Sequence, residues 1–197
     1  MKTMALIVVC VVIAACAAGF VIMEHRKMNV RKIALIAVMT AMSVAGRFVF
    51  AALPGFKPVT AVVVLCGMYL GADAGFICGA LSALISNCYF GQGPWTPFQM
   101  LVWGIIGLVA GLSGKQLQKS RIALMIYAVA AGIAFSFLMD IYTVIWAVGG
   151  WSWAYYGAAI VSAVPYTVLA VLSQAVGKKL ARVVNKYHIV EDEVQNT

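Results

Sequence analysis

An all-α, polytopic membrane bundle is the fold class predicted by this sequence, a six-helix core preceded by one extra N-terminal helix, and three observations predict it. Of the 197 residues, 64% are hydrophobic and only 10% are charged, with a mean hydropathy of +0.99. That leaves too little polar side chain to cover a water-facing surface. The apolar residues come in long runs without period-two alternation, which selects helices, the element that satisfies its own backbone hydrogen bonds in lipid. Basic residues gather between alternate runs, the charge pattern of a multi-span topology.

A span needs about 20 predominantly apolar residues, and the candidates are 4–23, 33–53, 59–70, 74–90, 98–112, 122–146 and 153–176. Residues 1–27 read as an extra N-terminal helix or a signal-like segment, 28–186 as a six-helix membrane domain and 187–197 as a cytoplasmic tail. In the first segment, Ile13-Ala14-Ala15-Cys16 has the form of a lipoprotein cleavage box. Cleavage there would leave 17–23 too short to span and strand the basic residues that follow, so the charges favour an uncleaved helix over a removed signal or a start at Met28. Stretch 59–70 is below spanning length and reads as a tilted or partial helix, or as one reaching into the flank at Lys57. Arg26, Lys27, Arg31 and Lys32, then Lys115, Lys119 and Arg121, then Lys178, Lys179, Arg182 and Lys186 fall on one side by span counting. The positive-inside rule makes that side cytoplasmic.

Topology thus accounts for most of the net charge of +8, and the clusters suit anionic lipid headgroups. No basic-aromatic module outside the spans points to nucleic acid. Cys10, Cys16, Cys66, Cys78 and Cys88 are scattered, with no CxxC and no nearby histidine, so neither a disulfide framework nor a metal site is predicted. His25 and His188 lie in the flanks, and HExxH, GxSxG and Walker sequences are missing, so no catalytic residues and no ATPase are expected.

Polar groups inside the spans carry the functional reading. Asp140 lies in the sixth span, where an unpaired carboxylate at mid-helix costs about 2.5–3.5 kcal/mol. Arg47, at similar depth in the second span, is its candidate ion-pair partner; the alternative is that each is solvated separately in an outer cavity. Three outward segments are rich in glycine, proline or aromatic residues: Leu53-Pro-Gly-Phe-Lys-Pro58, the loop from Gly91 to Met100 with Trp95 and Gln99, and the stretch from Gly149 to Tyr156. Their bland reading is an interfacial aromatic belt; gathered over one end of a bundle, they also make a binding surface. Gly75, Gly79 and Ala83, and then Gly107 and Gly111, recur every four residues and predict close helix packing. Ala37, Ala41 and Ala45 form two overlapping small-xxx-small steps, a flat face suited to a partner helix.

Across 28–186 the chain resembles the S component, the substrate-capture subunit, of energy-coupling factor (ECF) vitamin transporters. The segment Gly91–Met100, Arg47-Phe-Val-Phe, Gly55-Phe-Lys-Pro and the alanine steps carry that resemblance. The resemblance implies a six-helix bundle with cytoplasmic core ends, lying in a bacterial cell membrane. It also implies a docking face at Ala37, Ala41 and Ala45 for a transmembrane T component bearing two ATPase subunits. A micronutrient would bind under the outer loops, with no cofactor beyond the ATP used by those partners. Arg47 and Lys57 would meet a carboxylate, phosphate or amide of the solute. Asn87 and Gln99 would supply directional hydrogen bonds, Trp95 and Trp103 apolar walls, and Asp140 a further polar group. The resemblance leans toward cobalamin or another corrinoid, with a queuosine precursor or a smaller vitamin as alternatives. A stand-alone solute carrier, or a membrane assembly subunit that binds no solute, are the readings from other classes.

Overall fold

A computed structural model describes residues 10, 13–14, 17, 21, 28–52, 58–143, 177 and 179–186, without the side chains of 140, 141 and 143. The expectations for Lys57, for 149–156, for the last span and tail, and for most of the N-terminal segment lie outside these residues. Six helices are followed in order: α1 (Val30–Val49), α2 (Val59–Leu70), α3 (Ala72–Phe90), α4 (Trp95–Leu112), α5 (Gly114–Lys119) and α6 (Arg121–Thr143). No strand occurs among the described residues, and the chain is a helical membrane bundle. In four of the helices an apolar stretch is long enough to cross a membrane: Val30–Val49, Ala72–Phe90, Trp95–Leu112 and Arg121–Met139.

The boundaries follow local chemistry. Asn29 caps α1, its side-chain oxygen accepting from the Arg31 amide at 3.1 Å. Ser120 precedes α6, its hydroxyl accepting from the Ala123 amide at 3.2 Å. Between α2 and α3 the chain turns on one residue, Gly71, whose φ of 102° is a conformation that only glycine adopts without strain. The fourth span therefore starts at Ala72, ahead of the predicted residue 74. The loop predicted from Gly91 to Met100 is shorter than expected: α4 begins at Trp95. Pro94 precedes the helix and Pro97 sits in its first turn, where a missing N–H costs nothing. Short helix α5, which hydropathy did not reveal, fills the connection to α6.

Helix α2 is a buried core helix. Its 12 residues rise about 18 Å, short of a hydrocarbon layer of about 30 Å, and nine of them are buried, among them Val59, Val63, Cys66 and Leu70. Uniform hydropathy without an amphipathic face is the signature of such a helix.

Helices α2, α3 and α4 meet backbone to backbone. A Cβ at Gly75 or Gly67 would overlap the Gly107 carbonyl, one at Gly107 would overlap the Gly75 carbonyl, and one at Gly79 would overlap the Trp103 carbonyl. These are the four-residue glycine repeats read in the sequence, and they do what small residues do in lipid. Gly107→Val should therefore abolish monodisperse folded protein in detergent, whereas Val109→Ala, on an exposed position of the same helix, should leave it unchanged by size-exclusion chromatography.

Helix α1 packs on α2 and α3. Its buried face is Lys32, Ile36, Met39, Thr40, Ser43 and Val44; its exposed face carries Ala37, Ala41 and Ala45. Lys32 corrects one expectation. Its Nζ lies 2.7 Å from Asp73 Oδ2, with side chains 2% and 9% exposed, so it does not face lipid headgroups with its basic neighbours. Asp73 stands in the first turn of α3, where the helix dipole also favours a carboxylate. Breaking such a pair leaves one charge buried alone. Lys32→Met should lower stability by about 3–5 kcal/mol, and Lys32→Met with Asp73→Leu should recover most of it, read as thermal unfolding midpoints.

Candidate functional site

At the end of the bundle opposite Lys32, α1 closes on α3 and α4 through a connected set of polar side chains. Arg47, half-buried near the C-terminus of α1, donates from Nη1 to Ser86 Oγ and, at 2.9 Å, to Asn87 Oδ1. Asn87 is 1% exposed. Its Nδ2 donates to Thr96 Oγ1 at 3.0 Å and to Gln99 Oε1 at 2.8 Å, both on α4. Ser86 donates in turn to the Ser82 carbonyl at 2.6 Å, and Thr96 to Gln92 Oε1 at 2.8 Å. The arginine fixes the asparagine's amide: with Oδ1 turned to the guanidinium, both Nδ2 protons face α4.

Aromatic rings enclose the guanidinium. It lies 4.9 Å from the Phe90 ring centroid and 5.4 Å from that of Trp103, within cation–π range of both. Phe48, Tyr89 and Phe90 form a mutual cluster with centroids 5.0–5.3 Å apart. Beneath, Trp103 is fully buried, stacked on Phe135 at 4.7 Å, and donates from Nε1 to Thr60 at 3.2 Å.

The predicted residues thus divide. Arg47, Asn87 and Gln99 are brought into one network. Trp103 belongs to the same cluster, but Phe135 and the guanidinium take its faces, so it supports the arginine from below. Trp95 is 37% exposed and folds over Gly93, where a side chain would strike its ring. The Asp140 side chain lies outside the described residues, and with it the proposed pair; among the described residues, Arg47 is held by the neutral oxygens of Ser86 and Asn87. Ser86, Thr96, Gln92, Thr60 and Phe135 carry the site as well and had no mark in the sequence beyond their polarity or size.

Only Nη1 of Arg47 has hydrogen-bond partners among the described residues. No described residue takes Nε or Nη2, so within the described residues they are donors on a cation walled by rings and flanked by amides. Such an arrangement has the chemistry to hold a flat, acceptor-rich solute, and among the described residues it contains no nucleophile or proton-transfer pair. Asn87→Leu, which strands both the guanidinium and Gln99, should cost about 2–3 kcal/mol of stability; Asn87→Asp keeps the acceptor for Arg47, lets the Gln99 amide turn to donate, and should cost clearly less in the same thermal assay.

No curated protein and no solved structure matches the chain. A family model described as ECF-type riboflavin transporter, S component, matches residues 27–186. With that match covering most of its length, the chain belongs to the ECF-type riboflavin transporter S component family.

Proposed function

We propose that this S component captures riboflavin, or a close flavin relative, at the Arg47 end of the bundle. Members of its family are membrane transport subunits rather than enzymes, and vitamin-type solute capture in an ECF transporter follows from membership. The finer reading rests on one observation: a cation with donors that no described residue takes, set among aromatic rings and buried amides. An isoalloxazine ring is flat and carries two carbonyl oxygens and ring nitrogens as acceptors, which the remaining donors of Arg47 and the Gln99 amide match, with Asn87 holding both side chains in place. Trp95 walls the entrance, Trp103 holds the guanidinium from beneath, and Lys57 and Asp140 add polar contacts. Membership of a riboflavin-transporter family favours a flavin over the corrinoid suggested by sequence resemblance.

In this reading the Arg47 end faces outward and the Lys32 end faces the cytoplasm of a bacterial cell. The exposed face of Ala37, Ala41 and Ala45 docks on the T component of the transporter, and two partner ATPase subunits supply the energy. The subunit itself holds no cofactor.

Purified protein freed of co-purified solute should quench riboflavin fluorescence saturably, and excess cobinamide should not compete. Folded, solute-free protein that leaves the fluorescence unchanged refutes the flavin reading. Ala41→Trp should keep riboflavin affinity and lose co-purification with the T component; retained assembly would contradict the docking face.

A further inference from the structure

Arg47 sets the direction of the hydrogen bonds around it. A guanidinium can only donate, and both Nη1 protons are spent, on Ser86 Oγ and on Asn87 Oδ1. Asn87 then has to donate in turn, and its two Nδ2 protons go to Thr96 Oγ1 and Gln99 Oε1. Two hydroxyls pass the same polarity on. Ser86 gives its proton to the Ser82 carbonyl, and Thr96 gives its proton to Gln92 Oε1. Gln92 ends that branch, donating from Nε2 to the Leu84 carbonyl and the Cys88 sulfur. The Trp103 indole N–H is taken by Thr60.

The oxygens of Ser86, Asn87 and Thr96 are thereby engaged, on residues buried to 0%, 1% and 4% exposure, and Gln99 Oε1 is turned to Asn87. Three nitrogens remain for which no described residue supplies an acceptor: Nε and Nη2 of Arg47, and Nε2 of Gln99. All three are donors. The Nε–H and one Nη2–H point the same way from the planar guanidinium, a fork spaced for two neighbouring acceptors. We propose that this cluster reads its solute through acceptors alone, so that a flavin is taken by the flank bearing N5 and the C4 carbonyl; the inference rests on the flavin reading. The pyrimidine tip of the ring does not suit the fork, because N3–H stands between its two carbonyls and would set a donor against donors. Of the two flanks with adjacent acceptors, the one with N1 and the C2 carbonyl is crowded by the ribityl chain on N10. Gln99 is then a specificity-determining residue: Asn87 turns its amide so that the NH2 group, not the carbonyl, is offered beside the fork.

Two measurements test the polarity and the flank. In competition with riboflavin on the wild-type protein, 5-deazariboflavin, which carries C–H in place of N5, should bind about 10–100-fold more weakly than riboflavin, the loss of one charge-assisted hydrogen bond. It should also bind more weakly than 1-deazariboflavin; an equal or reversed order of the two analogues overturns the proposal. Gln99→Glu keeps an oxygen for Asn87 and puts an acceptor where the donor stood. The variant should unfold near the wild-type midpoint and lose riboflavin affinity at least about tenfold, which a purely structural role of Gln99 would not produce. Unchanged or tighter binding overturns the proposal, and if the variant fails to fold the analogue order on the wild type decides alone. Wild-type protein that leaves riboflavin fluorescence unchanged removes the flavin reading and this inference with it, whereas saturable quenching with the wrong analogue order removes this inference only.

Discussion

A charge inside a low-dielectric bundle has to be answered, and α1 carries two that lie well within the fold. Lys32 is answered by Asp73 and Arg47 by Ser86 and Asn87, in both cases from α3. Leaving either cation alone would cost several kcal/mol. The pairings therefore set the register of α1 on α3 more firmly than apolar contact could, because in lipid the apolar contacts have no hydrophobic drive behind them. With that register set, the buried face of α1 holds the site arginine and its exposed face turns Ala37, Ala41 and Ala45 outward. One helix thus joins the candidate solute site to the proposed docking face.

The second constraint is the close approach of α3 to α4. Glycines at 75, 79 and 107 bring the two backbones together, and only at that separation can the short Asn87 side chain reach both Thr96 and Gln99. Packing and site are therefore the same geometry seen at two levels. Trp103 continues it: its carbonyl packs on Gly79, its indole nitrogen bonds to Thr60 of α2, and its ring is held between Phe135 of α6 and the guanidinium. Four helices are tied to the arginine through that one residue.

Much of this was legible in the sequence. Arg47 stood out as a charge in an apolar run, Asn87 and Gln99 as polar residues of the loop region after the fourth predicted span, the glycine and alanine repeats announced close packing, and the family resemblance was carried by short motifs around them. Lys32 was misread because it closes a basic cluster, and position in such a cluster says nothing about which way a side chain turns on the helix. Asp73 was passed over beside Gly71, where it reads as part of a turn. Ser82, Ser86 and Thr96 were silent, since hydroxyls in membrane helices so often bond to their own backbone. The two prolines around Trp95 suggested a loop, although proline at a helix start is compatible with the helix. Trp103 was read as a wall of the pocket; its size was legible, but not that its faces are already occupied.

The account's central claim is that Arg47 and Asn87 act on the solute as one unit, and a double-mutant cycle on riboflavin affinity tests it most directly. Arg47→Gln, Asn87→Ala and the double variant would be titrated alongside the wild type. The account predicts that the two losses overlap, with a coupling of about 1–3 kcal/mol. Strictly additive losses, or affinities that neither change alters, would contradict it.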